Sequence, residues 1–110
     1  MDIVNVLKAL SDETRLRILN LLYEKELCVC DLEESLGILQ TKVSRHLGYL
    51  KKAGLIESRK KAQWVYYSIA KNPDTEFIND LILKNLRNNE IYKMDLSNLA
   101  VWFKKKYIDC

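Results

Sequence analysis

The sequence is poor in residues that interrupt regular structure, cross-link a chain or bind metals. It has three glycines, one proline, three cysteines and one histidine among 110 residues. So few turn-forming residues favour a mostly helical chain. Three cysteines cannot all pair within one chain, and a lone histidine excludes a metal site built from several imidazoles.

Several functional classes are disfavoured by what is absent. No apolar run approaches the roughly 18 residues needed to cross a bilayer, and the N-terminus lacks a charged leader with a cleavage site. We therefore expect a cytoplasmic protein with no membrane partner. A phosphate-binding glycine loop, a catalytic triad and a carboxylate pair are also missing, which argues against an enzyme. The length suits one modest core and predicts a single domain over 1–110.

The positive charge is concentrated in one stretch of the chain. The whole sequence carries a formal charge of +3. Residues 40–61 contain seven basic side chains and one acidic one, so this stretch carries +6 and the remainder carries −3. A chain with this distribution has one face suited to phosphates.

Helical periodicity dominates the first half. Apolar residues at helical spacing predict two helices in the first 24 residues, with Ser11 and Asp12 offering N-cap oxygens to the second. A short third helix over 31–36 and a fourth over 41–53 each end before a glycine, a residue that favours helix termination. Because so short a segment joins these two helices, they predict a helix-turn-helix.

The period then changes to that of a β-strand. The run from Val65 to Ile69 alternates, and Leu55–Arg59 is a plausible partner strand across 60–63, which predicts a basic β-hairpin. Two terminal helices follow, broken near Asn88 and Asn89. The expected fold is mostly α with a small β-hairpin, in the order α-α-α-α-β-β-α-α.

Four segments resemble the ArsR/SmtB family of winged helix-turn-helix regulators: LKALSDETRLRILNLL, ELCVCDL, VSRHLGYLKKAGLI and WVYYSI. The likeness runs from about Leu7 to Ile69 and implies a dimeric winged helix. Such proteins are homodimers that occupy operator DNA and release it when a metal or metalloid binds. This chain departs from the family in lacking a glycine at the hairpin tip and in carrying Gly48 inside the basic helix.

The resemblance makes the fourth helix the recognition helix, whose N-terminal side chains contact base edges in the major groove. Arg45 is the best candidate for a guanine contact. His46 is also interpretable as a packing or capping residue. The wing would reach phosphates or the minor groove. The predicted DNA-binding residues are Gln40, Thr41, Lys42, Ser44, Arg45, His46, Arg59, Lys60 and Lys61.

Cys28 and Cys30 form a Cys-x-Cys pair of soft ligands, and the family uses this position for arsenite-like species. On an ideal helix, residues two apart point about 200° from each other, so both sulfurs reach one ion only if the backbone there is extended or distorted. The resemblance implies arsenite or antimonite as inducer. A third cysteine, frequent in arsenic sensors, is replaced by Glu33. Cys110 is the remaining candidate, and it is equally interpretable as a free terminal residue.

Other interpretations stay open at this point. The two cysteines could instead be small hydrophobic residues at a helix start, a thiol oxidation switch, or a cadmium or lead site. A winged helix can also serve as a protein-interaction module without metal sensing. The terminal helices, with Trp102 and Phe103, are expected to join the first helix in a dimer interface, or alternatively to cover the monomer's own core.

Overall fold

A computed structural model describes residues 2–109, apart from the side chains of Asp74, Tyr107, Ile108 and Asp109. Short 3₁₀ turns at Pro73–Thr75 and Leu86–Asn88 precede the last two helices. The helices are α1 Ile3–Leu10, α2 Glu13–Glu24, α3 Val29–Leu36, α4 Gln40–Lys52, α5 Glu76–Lys84 and α6 Glu90–Asp109. The strands are β1 Leu27–Cys28, β2 Ile56–Lys61 and β3 Trp64–Ile69.

The helix ends follow the local sequence signals. Asp12 caps α2, because its carboxylate accepts a hydrogen bond from the Arg15 backbone N–H at 3.0 Å. Ser11 instead donates its hydroxyl to the Lys8 carbonyl at the end of α1. Gly37 ends α3 with φ of 68°, in the left-handed region that favours glycine. The predicted helix-turn-helix, formed by α3 and α4, is confirmed.

The hairpin is confirmed, with longer strands than the sequence indicated. Lys60 pairs with Val65 and Lys61 with Trp64, so the predicted loop over 60–63 shrinks to two residues. Ala62, the first of these, has φ of 57°. A non-glycine residue with this φ carries strain of about 1–2 kcal/mol. The missing tip glycine is therefore replaced by a strained alanine rather than by a wider loop.

The short strand β1 was not predicted. Leu27 pairs with Tyr67 and Cys28 with Tyr66, which gives an antiparallel sheet in the order β1-β3-β2. A two-residue strand has no periodicity of its own, so only the pairing with β3 identifies it. The pairing fixes the N-terminus of α3 against the wing.

The core lies where the helix-turn-helix, the sheet and the terminal helices meet. A partly buried ion pair supports it: Arg17 donates to Asp95 at 2.8 and 2.9 Å, and also to the Leu36 carbonyl at 3.2 Å. This arginine therefore ties α2 to α6 and to the end of α3. The largest fully buried side chains are Val6, Ile18, Leu19, Leu21, Leu27, Leu32, Val43, Leu47, Leu50, Leu55, Ile78 and Ile82.

The long helix α6 packs against α3 and α2 of its own chain. Trp102 and Phe103 are both half-buried there, and Phe103 packs against the core. Among the described residues, no helix combines the length and apolar character needed to cross a bilayer.

Candidate nucleic-acid interface and thiol site

The helix α4 presents a polar and basic face to solvent. Its apolar side is fixed in the core by Val43, Leu47 and Leu50, which are each at most 1% exposed. The other side chains at positions 40–45 are exposed, because the helical period turns them away from that core. Those that the sequence predicted for DNA are Gln40, Thr41, Lys42, Ser44 and Arg45.

His46, which the sequence also predicted to contact DNA, does not lie on the exposed face of α4. The side chain is buried, because position 46 falls on the core side of α4 between Val43 and Leu47. Arg15 Nη1 lies 3.3 Å from His46 Nδ1, and the Asp12 carboxylate lies 3.9 Å from the same atom. His46 therefore packs α4 against the start of α2.

The surroundings of His46 favour its neutral form. Burial lowers the pKa of its imidazole, and the charges of Arg15, Arg45 and Lys42 lower it further, whereas Asp12 opposes the shift. A guanidinium only donates, so Nδ1 accepts from Arg15 when the ring is neutral. Arg15 also donates to the Ala9 carbonyl and lies over the Tyr49 ring at 4.1 Å. The arginine thus connects α1, α2 and α4.

The N-terminus of α4 is capped from outside the helix. Leu39 occupies the N-cap position and has no side-chain acceptor. The Gln40 backbone N–H instead donates to the Glu33 carboxylate of α3 at 3.0 Å. The two helices of the helix-turn-helix are therefore joined by a hydrogen bond at the end that faces a groove in proteins of this fold.

The wing carries the other basic residues. Lys60 and Lys61 are exposed near its tip. Arg59 makes a bidentate pair with Glu26, with N–O distances of 2.6 and 2.7 Å. Because this pair is exposed, it holds Arg59 only weakly. Lys51, at the end of α4, donates to the Ser58 hydroxyl of β2 at 2.7 Å and so links the wing to α4.

The two cysteines lie on either side of the start of α3. Cys28 is the N-cap, in extended backbone with φ of −92° and ψ of 171°, and its side chain is buried. Cys30 lies in the first helical turn and is exposed. The helix therefore begins between them, with Cys28 in extended backbone and Cys30 in helical backbone. Cys110 lies outside the described residues.

A buried carboxylate connects Cys28 with the last helix. Asp31, 1% exposed, accepts from the Cys28 backbone N–H at 3.0 Å and from its thiol at 3.2 Å through Oδ2. Its Oδ1 accepts from Trp102 Nε1 at 2.8 Å and from Lys106 Nζ at 2.7 Å. These four donors form the Asp31 network, which joins the thiol site to α6.

The network sets the protonation of its members. Burial alone would raise the pKa of Asp31, but the hydrogen bonds from Lys106, Trp102 and Cys28 bring it below its ordinary value. Burial raises the pKa of Cys28, and the Asp31 carboxylate raises it further. Burial also raises the pKa of Cys30, together with the neighbouring thiol and carboxylates. Both cysteines are therefore thiols at neutral pH.

Within the described part of the chain, no group of three or more His, Cys, Asp or Glu side chains is placed to hold a metal ion. The donor chemistry of Cys28 and Cys30 suits a soft ion. Two thiols complete only part of a three-sulfur set.

Three residues important to this arrangement were missed from the sequence. Asp31, Arg15 and Glu26 each join segments that are far apart along the chain, with partners in α6, α4 and β2. Hydrogen bonds between distant segments leave no periodic signal. Only Asp31 had a local sequence signal, because an aspartate three residues after an N-cap matches a capping-box acceptor.

Comparison with known proteins places this geometry in a family. Residues 12–58 match the family described as "Bacterial regulatory protein, arsR family". The arsenic resistance transcriptional regulator ArsR1 of Pseudomonas putida is 42% identical over 98 residues, which cover 86% of this chain and 75% of that protein. The chain belongs to the arsR family. It is a winged helix-turn-helix transcriptional regulator.

Relatives of this arsR-family chain are described by resistance to different elements, cadmium as well as arsenic. A cadmium resistance transcriptional regulatory protein CadC homolog of Staphylococcus aureus is 41% identical over 85 residues, covering 76% of this chain and 67% of that protein. Among solved structures, the homodimeric winged helix-turn-helix DNA-binding domain of a possible ArsR-family regulator from Mycobacterium bovis has a TM-score of 0.68 and 29% identity. That likeness covers 81% of each chain.

Proposed function

We propose that this arsR-family regulator is a homodimeric repressor that releases operator DNA when trivalent arsenic or antimony binds its cysteine thiols. The observation that carries the proposal is the placement of Cys28 and Cys30 at the start of α3, the helix whose Glu33 caps the recognition helix. One domain, over 1–110, would then both bind DNA and dimerise.

The proposed DNA contacts are the exposed side chains of α4 and the wing. Arg45 would read a guanine, and Lys60 and Lys61 would contact phosphates or the minor groove. Fluorescence anisotropy with duplexes that the protein itself selects from a random pool would measure this binding. Arg45→Ala should weaken binding to selected duplexes by about 5-fold to 150-fold and relax specificity at one position.

The wing lysines provide a separate test of the DNA interface. Replacing both Lys60 and Lys61 by alanine should reduce the steepness of the salt dependence by roughly two phosphate contacts. Lys84→Ala on α5 removes an exposed lysine outside the basic stretch and should leave the salt dependence of binding unchanged. Binding that is insensitive to salt and to Arg45 would favour a protein-interaction module instead.

The proposed third ligand is Cys110. It follows α6 directly, four positions after Lys106, whose ammonium lies 2.7 Å from Asp31 beside Cys28. The Asp31 network thus holds the end of α6 close to the thiol site. When the Cys28 sulfur binds arsenic or antimony, it loses its proton and with it the hydrogen bond to Asp31. This loss would alter the contact between α3 and α6, which Asp31 makes through Trp102 and Lys106.

The protonation of the thiols separates the candidate inducers. Each As–S bond forms from a thiol and an As–OH group with loss of one water, so arsenite affinity should vary little between pH 6 and 8. Cadmium displaces one proton from each thiol, so its affinity should rise about tenfold per pH unit for each sulfur bound. The raised pKa values also disfavour an oxidation switch, which needs a thiolate.

Ligand binding can be followed by the emission of Trp102, which contacts Asp31. The sequence has two tryptophans, so Trp64→Phe leaves Trp102 as the single tryptophan, whose emission is excited selectively over that of the tyrosines. Arsenite or antimonite should change its emission with an affinity that varies little between pH 6 and 8, and Cys28→Ser should abolish the change. A response to cadmium alone would assign the site to a divalent ion.

Dimerisation is proposed through exposed apolar faces of α1 and α6. Ile3, Val4 and Leu7 are each at least 50% exposed on one side of α1, and Met94 and Val101, seven residues apart on α6, are 60% and 53% exposed. Apolar faces of this kind are typical of subunit contacts. Leu7→Glu should give a monomer in sedimentation experiments, whereas Leu83→Glu on α5 should leave the dimer intact.

A further inference from the structure

Leu39 is an exposed apolar residue at the N-terminus of the recognition helix. Its exposed fraction is 75%, the highest among the large hydrophobic side chains that the structure describes. Leu39 directly precedes α4 and has the N-cap role, with φ of −58° and ψ of 143°. The side chain therefore contributes little to the core of this chain.

Helix capping does not explain a leucine at this position either. N-cap positions favour Ser, Thr, Asp and Asn, whose oxygens accept from the first backbone N–H groups. Here the Glu33 carboxylate of α3 accepts from the Gln40 backbone N–H at 3.0 Å. Because Glu33 supplies this acceptor from outside the helix, position 39 is free to carry an apolar side chain.

The surroundings of Leu39 indicate what the side chain contacts. Between positions 40 and 45 of α4, the exposed residues that follow it are polar or cationic: Gln40, Thr41, Lys42, Ser44 and Arg45. In the major groove, the C5-methyl group of thymine is the distinctive apolar feature of the base edges. The first residues of a recognition helix are those that reach these edges.

We propose that Leu39 is a specificity-determining residue that packs against a thymine methyl group in each half-site. This inference rests on the proposed function, in which α4 enters the major groove. Within that interface, Arg45 would read its base by hydrogen bonds and Leu39 would read a neighbouring base by apolar contact. The two residues make separable contributions to one recognition sequence.

The test removes only the methyl group. In the duplex that the full-length protein selects from a random pool, each thymine is replaced in turn by deoxyuridine, and the Kd is measured by anisotropy at fixed salt. Burial of one methyl group corresponds to about a fourfold change in affinity. At one thymine per half-site, uracil should weaken wild-type binding about fourfold, and Leu39→Ala should bind both duplexes equally.

A matched variant controls for loss of an exposed leucine. Leu83 on α5 is 46% exposed, and Leu83→Ala should keep the full wild-type preference for thymine. The inference is overturned if wild type tolerates uracil at every position, or if Leu39→Ala keeps the same preference. If the Leu39 result is negative but Arg45→Ala still weakens DNA binding, only the inference about Leu39 is refuted. If DNA binding does not depend on Arg45, the proposed function itself is refuted.

Discussion

Replacement of Asp31 by asparagine should destabilise the protein strongly, because the side chain keeps its size and loses its charge. Aspartate uses two acceptor oxygens for four donors, from Cys28, Trp102 and Lys106. Asparagine has one acceptor oxygen, and its NH₂ group, which only donates, would face either the donors of Cys28 or those of Trp102 and Lys106. At least one set of donors therefore loses its acceptor inside the protein.

The magnitude follows from the kind of hydrogen bonds lost. Those to a charged group contribute about 1.5–3 kcal/mol each, and an unsatisfied buried donor costs a similar amount. Lys106 is 24% exposed and can turn to solvent, which reduces the loss at that donor. We expect Asp31→Asn to lower the free energy of unfolding by about 2–4 kcal/mol at pH 7.

The assay is urea unfolding at a fixed protomer concentration, followed by tryptophan emission. Since the pKa of the Asp31 carboxyl is lowered in the folded state, its stabilisation is complete above the unfolded pKa of about 3.9 and is lost as the pH falls through the lower folded value. The difference between wild type and variant should therefore be full at pH 7 and shrink below about pH 4.

A matched control removes a carboxylate that makes no buried contact. Asp80 on α5 is 71% exposed at its side chain and lies 3.7 Å from Lys84. Asp80→Asn should change stability by less than about 0.5 kcal/mol. A change of that size for Asp31→Asn would refute the assignment of Asp31 as the carboxylate that holds α6 on the thiol site.

Three further perturbations test other parts of the structure. Ala62→Gly should raise the free energy of unfolding by about 0.5–1 kcal/mol in urea titrations, because glycine adopts φ of 57° without strain. Glu26→Gln should free Arg59 and tighten DNA binding on the order of twofold in anisotropy measurements, more than the charge-matched Glu57→Gln does. Since burial lowers the pKa of His46, stability should fall as the pH drops below its unfolded value of about 6.5, and His46→Gln should remove this part of the pH dependence.

Most of the fold was predictable because its signals are local. The helix-turn-helix followed from apolar periodicity and from Gly37 at a left-handed position, and the wing followed from the alternation in β3. The two-residue strand β1 was not predictable, because it exists only through its pairing with β3. The wing tip was misjudged because cross-strand pairing extends both strands into the expected loop.

The candidate site was predictable in its residue types and less so in its three-dimensional detail. The sequence left His46 interpretable either as a DNA contact or as a packing residue, and in the fold its side chain is buried. Cys28 and Cys30 were identified by their Cys-x-Cys spacing together with the family resemblance of the segment that carries them. The link from Cys28 through Asp31 to Trp102 and Lys106 joins residues about 70 positions apart, and no pattern within one segment indicates it.

The most direct test of the proposed function is arsenite-driven release of a selected duplex by reduced wild type, Cys28→Ser and Cys110→Ser. The account predicts that arsenite releases DNA from wild type and that both variants stay bound. Release from Cys110→Ser but not from Cys28→Ser would limit the sulfur ligands to Cys28 and Cys30. Wild-type protein that keeps its DNA at saturating arsenite would contradict the proposal that these thiols sense a metalloid.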